Sequence, residues 1–204
     1  RGSLSMISLA LPIALEQLFR LLVSSADTVM LSYYSNQAVA AVGLVSQYIF
    51  FLNLIFSVIG TGCSIVLAQY LGAQKTKTEL NNIAQASTIM VFVTSLLLTV
   101  IVIAGTPLLL GCYVLEEKVR QFSTQYLIIY GGICCFFNAF NLLQGAILRS
   151  YGYSGEVMIV SVIANLINVT GNALSLYGWF GLPVFGVAGV AWSSGISMIV
   201  SCIL

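Results

Sequence analysis

The chain has 204 residues, of which 59% are hydrophobic and 6% are charged, and it contains no histidine. A soluble domain carries about 25% charged residues, so a chain with seven Lys and Arg and six Asp and Glu must turn most of its surface to lipid. The absence of histidine excludes Ser-His-Asp relays and HExxH zinc sites, and a net charge of +1 without a basic cluster argues against a nucleic-acid partner.

Six apolar stretches follow one another along the chain, each bounded by polar residues or by Gly and Pro. A membrane-spanning helix needs about 20 mostly apolar residues, and an open sheet edge cannot be satisfied in hydrocarbon. We therefore expect an all-α integral membrane protein that forms a bundle of six transmembrane helices within residues 1–204. The predicted helices cover approximately residues 6–33, 39–71, 82–110, 122–147, 157–179 and 187–204.

The first stretch carries three ionisable side chains well inside a span: Glu16, Arg20 and Asp27. At about 100° per residue they share one face of the helix, and ionisable groups inside membrane helices mark functional sites. Arg20 can neutralise Glu16 through the i,i+4 relation, whereas Asp27 has no cationic partner in its own helix. Asp27 can bind a proton, because poor solvation disfavours its charged form, or hold Na⁺ with help from amide and hydroxyl oxygens.

Neutral polar side chains form stripes at helical spacing on four later stretches. The stripe members are Ser46, Asn53, Ser57, Thr61 and Ser64 on the second, Asn138 and Asn141 on the fourth, Ser161, Asn165, Asn168, Asn172 and Ser175 on the fifth, and Ser194, Ser197 and Ser201 on the sixth. Because such faces avoid lipid, we expect them to surround a polar, water-filled cavity inside the bundle. Alternatively, the polar groups only join helices, with hydrogen bonds worth about 0.6 kcal/mol each.

Two features concern the orientation and the extent of the chain. Lys and Arg accumulate in cytoplasmic connections, and Arg1, Lys75, Lys77 and Arg149 stand against Lys118 and Arg120 on the other side. This count predicts a cytoplasmic N-terminus. The sixth apolar run continues to Leu204 and the chain does not begin with Met, so we expect a piece of a larger protein whose second half resembles the first.

Short segments in matching order resemble the multidrug and toxic compound extrusion (MATE) transporters. The first-helix match includes the proline of Leu11-Pro12-Ile13, Gln17 and the pair Asp27-Thr28. Further matches follow at similar spacing: Ala40-Ala41-Val42-Gly43-Leu44, Ala68-Gln69-Tyr70-Leu71-Gly72-Ala73, Leu148-Arg149-Ser150-Tyr151-Gly152 and Gly186-Val187-Ala188-Gly189-Val190-Ala191. Together the matches cover nearly the whole chain.

The resemblance implies the N-terminal six-helix lobe of a twelve-helix transporter of the plasma membrane, with the C-terminal lobe missing. Such a protein acts as a monomer when full length, needs no cofactor, and exports organic, often cationic or amphipathic compounds in exchange for H⁺ or Na⁺. The family's cation site maps onto Asp27, Asn168, Asn172 and Ser194, but the family has an aspartate where this chain has Asn172. We expect the substrate cavity to include Glu16, Gln17, Arg20, Asn138, Asn141 and Asn165.

Other functions remain open. A lipid-linked saccharide flippase of the same superfamily would need several basic residues facing the cavity, whereas Arg20 is the only one well inside a span. A non-transporting membrane assembly subunit would use the polar stripes as packing contacts alone. An intramembrane enzyme is the weakest alternative, because one unpaired Asp without His supplies no recognisable catalytic pair.

Overall fold

A computed structural model describes residues 6–178 and 183–204. All regular structure within these ranges is helical, which confirms the predicted all-α class. Arg1 of the orientation count and Trp179, the predicted end of the fifth helix, lie outside the described residues. The helices are Met6–Tyr34 (α1), Asn36–Gly72 (α2), Lys77–Gly111 (α3), Glu117–Tyr126 (α4), Cys135–Ser150 (α5), Ser154–Tyr177 (α6) and Gly186–Ile203 (α7), with a π-helical segment, Leu127–Ile133, between α4 and α5.

Local hydrogen bonds explain where several helices begin and end. Thr76 and Glu79 form a capping box in which the Thr76 hydroxyl accepts from the Glu79 amide at 3.3 Å and the Glu79 carboxylate accepts from the Thr76 amide at 3.0 Å. α3 therefore begins five residues before the predicted residue 82. α6 ends at Tyr177, and Gly178 after it adopts the left-handed conformation with φ 62°, which glycine can adopt because it has no Cβ.

Four helices, α2, α3, α6 and α7, are long and apolar enough to cross a membrane by length and composition, within the described residues. The segment from α4 through α5 adds a fifth span that is bent by 48°. α1 carries three ionisable residues and is not among these five, although its 29 residues exceed the about 20 that a bilayer core requires. The number of six spans therefore stays a prediction.

The fourth predicted helix was expected to be continuous over 122–147, and the structure corrects this expectation. Its middle is π-helical, with the Cys134 amide donating to the Ile129 carbonyl at 2.9 Å, and the helix bends there. A Cβ at Gly132 would lie 2.8 Å from Ile103, so α3 packs directly on this backbone. The Thr99 hydroxyl of α3 donates to the Gly132 carbonyl at 3.1 Å and so joins α3 to the irregular segment.

The helices pack around two contact regions. α6 lies between α1 and α7, while α2 lies against α3 and α5. Gly171 of α6 faces Ser193 of α7, and Gly189 of α7 faces Ser175 of α6, at places where a Cβ would overlap the opposite serine. Small residues therefore let α6 and α7 approach closely. The outer faces carry exposed apolar side chains suited to lipid, among them Phe50, Val58, Leu97 and Leu108.

Candidate functional site

A cavity of about 900 Å³ lies between α1, α5, α6 and α7, with Asn53 of α2 and the tyrosines of the bent span in its wall. Small-molecule sites commonly have volumes of about 300 to 1,000 Å³, so the cavity can hold a drug-sized compound. It contains most of the polar residues selected from the sequence: Glu16, Arg20, Asp27, Asn138, Asn141, Asn165, Asn168 and Ser194.

A chain of hydrogen bonds joins the four residues predicted for ion coupling. Asn172 Nδ2 donates to Asp27 Oδ1 at 2.9 Å and to Asn168 Oδ1 at 3.2 Å. Asn168 Nδ2 donates to Ser194 Oγ at 2.9 Å, and the Ser194 hydroxyl donates to the Val190 carbonyl at 3.0 Å. The structure therefore brings the four residues together and connects α1 through α6 to α7.

Helix geometry explains why these side chains meet. Asn168 and Asn172 are one turn apart on α6 and project from the same face. The close approach at Gly171 brings α7 near enough for the Ser193 hydroxyl to donate to the Asn168 backbone carbonyl at 2.9 Å. This contact holds Asn168 and Ser194 in register across the two helices.

One atom of this chain of hydrogen bonds has no partner among the described residues. Asn172 is 1% exposed, and its Oδ1 accepts no hydrogen bond. A buried polar group without a partner costs about 1 to 3 kcal/mol. The region beside Asp27 thus contains an unused buried acceptor, which a bound proton or cation can satisfy.

A second cluster lies at the end of the cavity where α5 ends and α6 begins, which we call the inner end. Glu16 is 2% exposed and uses both carboxylate oxygens, one with Arg20 Nη2 at 3.1 Å and the other with Arg149 Nη2 at 2.7 Å. The predicted pairing of Glu16 with Arg20 is therefore present, and Arg149 is an addition to it. The cluster ties α1 to the end of α5.

Sequence reasoning missed Arg149 as a cavity residue and used it only in the orientation count and in the family match. It occupies the last turn of α5, and a Cβ at Gly145 would lie 3.2 Å from its Nη1, so the glycine gives the guanidinium room to lie back along its own helix. The sequence signal for this arrangement was the spacing of Gly145 and Arg149, one helical turn apart, which places the glycine beside the arginine side chain. Its partner, Glu16, is 133 residues away, which no local pattern predicts.

Gln17 does not belong to the cavity, contrary to the prediction. Its side chain is exposed and is not part of the cavity wall. Consecutive residues on a helix point about 100° apart, so the position after buried Glu16 is directed away from the cavity.

The polar stripe of α2 also fails to face the cavity as predicted. Ser46, Ser57 and Thr61 are exposed, and of the stripe only Asn53 reaches the cavity. α2 instead buries an apolar face that includes Val45, Leu52 and Phe56 against the bundle. Hydroxyl groups need no partner in the cavity when they bond within their own helix, as Ser46 does with the Val42 carbonyl at 2.6 Å.

The remaining amides of the cavity wall bond to their neighbours. Asn138 Nδ2 donates to Asn53 Oδ1 at 2.5 Å, and Asn141 Oδ1 accepts from the Ser201 hydroxyl at 2.7 Å. Asn165 Nδ2 donates to the Ser161 carbonyl at 2.7 Å. These bonds fix the polar wall, so Asp27 and the Glu16 cluster are the charged features that the inner surfaces of α1 present to the cavity.

Comparisons with known proteins match nearly the whole chain. The MatE family model matches residues 12–174. The uncharacterized transporter YisQ of Bacillus subtilis (strain 168) is 36% identical over 199 residues, which cover 98% of this chain and 43% of that relative. The probable multidrug resistance protein NorM of Thermotoga maritima is 28% identical over 196 residues, which cover 96% of this chain and 42% of that relative.

Solved structures share the fold. The structure described as MATE in complex with MaL6 superposes with a TM-score of 0.89 at 22% identity, covering 97% of this chain and 42% of that chain. The outward-facing conformation of a multidrug resistance MATE family transporter of the MOP superfamily gives a TM-score of 0.86 at 23% identity, with coverages of 97% and 42%. The chain therefore spans less than half the length of the relatives that it matches.

Proposed function

The chain belongs to the MatE family of membrane transporters, and on that premise we propose that the full-length protein is a multidrug efflux transporter driven by H⁺ or Na⁺. It is a multi-pass integral membrane protein and not an enzyme. Its substrates are organic, often cationic or amphipathic compounds, and it works as a monomer in the plasma membrane with a cytoplasmic N-terminus. The hydrogen-bonded chain from Asp27 to Ser194 on the cavity wall carries the proposal.

The chain of hydrogen bonds supplies a way to connect ion binding to helix position. The carboxylate of Asp27 accepts a hydrogen bond from the Asn172 amide nitrogen. A protonated Asp27 needs an acceptor instead, and the Asn172 side chain also carries one, its unpartnered Oδ1. Turning the amide to offer this oxygen removes a donor from Asn168 and disturbs its bond to Ser194. The ion therefore has different affinities for two arrangements of α1, α6 and α7, which is the requirement for coupling.

Exchange of ion for substrate follows from the charge of Asp27. A protonated or cation-bound Asp27 is neutral and holds a cationic compound less firmly than the free carboxylate does. Entry of the ion therefore promotes release of the substrate. Asn172 leaves one carboxylate at this place, and the Asn168 and Ser194 side-chain oxygens already accept hydrogen bonds. Few oxygens remain for Na⁺, so we favour H⁺ as the coupling ion.

The alternatives receive less support. Arg149 adds a second guanidinium to the cavity, but Glu16 pairs with both arginines, which leaves a single excess positive charge in this cluster. A pyrophosphate headgroup carries more negative charge than one guanidinium balances, so the flippase is not favoured. An assembly subunit needs no cavity of about 900 Å³.

The proposal is tested in proteoliposomes that contain the full-length protein. Asp27→Asn keeps the size of the side chain but cannot take up a proton, so H⁺- or Na⁺-driven efflux should be abolished. Ser25→Ala is the matched control on α1, because the Ser25 hydroxyl is exposed and bonds only to the Leu21 carbonyl. Undiminished coupled transport by Asp27→Asn would refute the role given to Asp27.

A further inference from the structure

We propose that Arg20 and Arg149 form an anion subsite at the inner end of the cavity, so that the preferred substrates are amphipathic zwitterions with an ammonium group and a carboxylate. The inference rests on the proposed transport function and adds a substrate class to it. It is carried by the distribution of charge and of hydrogen-bond donors along the cavity wall.

The Glu16 cluster contains more positive than negative charge. Two guanidinium groups share one carboxylate, and each carboxylate oxygen of Glu16 already has its own arginine. Glu16 is 2% exposed and so is enclosed by its partners, whereas the side chains of Arg20 and Arg149 are 49% and 29% exposed. A ligand at this end of the cavity therefore meets guanidinium surface and not the carboxylate.

The two arginines also have donors to spare. A guanidinium has five N–H donors, and the contacts within the described residues use one nitrogen of each arginine. The planar fork of Arg matches the two oxygens of a carboxylate, and such charge-assisted pairs are stronger than neutral hydrogen bonds.

Glu156 is the other acidic group at the inner end, and it does not neutralise the subsite. It lines the cavity but is exposed, and it forms no ion pair within residues 6–178 and 183–204. Interactions of a solvent-exposed charge are weakened by water and salt. Arg149 is instead held inward by its ion pair with Glu16, and Gly145 leaves room for its guanidinium because it has no Cβ.

The opposite polarity occurs farther along the same helix. Asp27 follows Glu16 by 11 residues on α1, a rise of about 16 Å at about 1.5 Å per residue. Between them the cavity wall includes apolar side chains of Val23, Leu142 and Ala164. Amides such as Asn141 and Asn165 line the same part of the wall. The cavity therefore has a cationic end, a middle of mixed apolar and amide side chains, and an anionic end, and a zwitterionic amphiphile complements this arrangement of charge.

The test uses a rigid terphenyl that carries an aminomethyl group at one end and a carboxylate at the other, about 16 Å apart, to match the rise along α1. Its methyl ester has the same length and amine but no anion. Binding of both compounds to the full-length protein in nanodiscs is measured by fluorescence titration without an ion gradient. The zwitterion should bind about tenfold more tightly than the ester, because a hydrogen bond to a charged group contributes about 1.5 to 3 kcal/mol.

Variants separate an anion subsite from a structural clamp. Arg149→Gln should remove most of the preference for the zwitterion, whereas Glu16→Gln should increase it, because it releases both arginines from their carboxylate. A purely structural cluster would lower binding of both compounds in both variants. Lys75→Gln is the control, since Lys75 pairs with Glu79 in the α2–α3 connection, outside the cavity.

Equal affinities of the two compounds for the wild-type protein would overturn the proposal, as would a Glu16→Gln variant that loses the preference. If Arg149→Gln does not fold, as judged by thermal unfolding, Arg20→Gln takes its place, because Arg20 is half exposed on its own helix. Binding is measured here and ion-driven efflux in the Asp27→Asn experiment. Failure of the substrate class is therefore distinguished from failure of the transport function.

Discussion

At the scale of single residues, Asn172 distinguishes the proposed coupling site from the family pattern implied by the sequence. It donates to both Asp27 and Asn168 while its own oxygen stays unpartnered. A carboxylate here could not donate those bonds, so the asparagine fixes the direction of the whole chain of hydrogen bonds. The site consequently depends on one negative charge.

Asn172→Asp places a second carboxylate beside Asp27 and should make efflux depend on Na⁺. One added negative charge in direct contact is expected to tighten Na⁺ binding about tenfold, or ~1.4 kcal/mol. The measurement is efflux as a function of Na⁺ concentration at constant pH. Asn165→Asp is the matched control, because Asn165 lines the cavity on the same helix and its bonds within the described residues go to Ser161. An equal Na⁺ response in both variants would contradict the prediction.

The residues also show where sequence reasoning succeeds and where it ends. Asp27, Asn168, Asn172 and Ser194 could be grouped because helical spacing and the family resemblance place each on an inward face, and the structure brings them together. The contact of Glu16 with Arg149 could not be predicted, since it depends on how α1 and α5 pack.

At the scale of helices, the contact of α6 with α7 depends on glycine. A Cβ at Gly171 would overlap the Ser193 side chain, while one at Gly105 of α3 would meet nothing within 4 Å. Both glycines lie inside helices, so the two positions separate the effect of packing from that of helix propensity.

Gly171→Ala should lower the free energy of unfolding by about 1 to 3 kcal/mol, because overpacking forces α6 and α7 apart. Gly105→Ala should be neutral or stabilise by up to about 1 kcal/mol through helix propensity. Both are measured by unfolding in detergent. A stabilised Gly171→Ala variant would show that the two helices are less closely packed than the structure indicates.

Helices differ in how well their sequence predicts them. The ends of α1 and α2 are close to the predicted limits because polar and glycine residues mark them. The π-helical segment was missed, because Gly131 and Gly132 alone do not distinguish an irregular turn from ordinary close packing. The stripe of α2 was misassigned because α2 turns an apolar face to the bundle, while serine and threonine hydroxyls can bond within their own helix.

At the scale of the whole molecule, the bundle has two kinds of exposed surface, the cavity wall and the outer faces of the helices. We expect water to reach the first and not the second. Asn165 and Ser161 line the cavity, while Val58 is 66% exposed on the outside of α2. Exposure alone does not tell a wet surface from a lipid-covered one. Access to a water-soluble reagent does.

Single cysteines at Ser161 and Asn165, in a variant without the five native cysteines, should react with hydrophilic thiol reagents in the membrane. A cysteine at Val58 should not, because Val58 lies among exposed apolar side chains of α2 suited to lipid, and thiols react as thiolates, which hydrocarbon disfavours. Labelling rates of the full-length protein in native membranes provide the measurement. Resistance at both cavity positions would favour the assembly subunit over a transporter.

The order in which the ribosome delivers these helices gives the Glu16 cluster a further consequence. α1 is synthesised before α5 and α6, and Glu16 then has Arg20 of its own helix as a partner, whereas Arg149 follows 133 residues later. Asp27 has no such companion within α1 and meets Asn172 145 residues later. The i,i+4 position of Arg20 thus makes a partner for Glu16 available as soon as α1 forms, and Asp27 is the charge of α1 whose partner comes from a later helix.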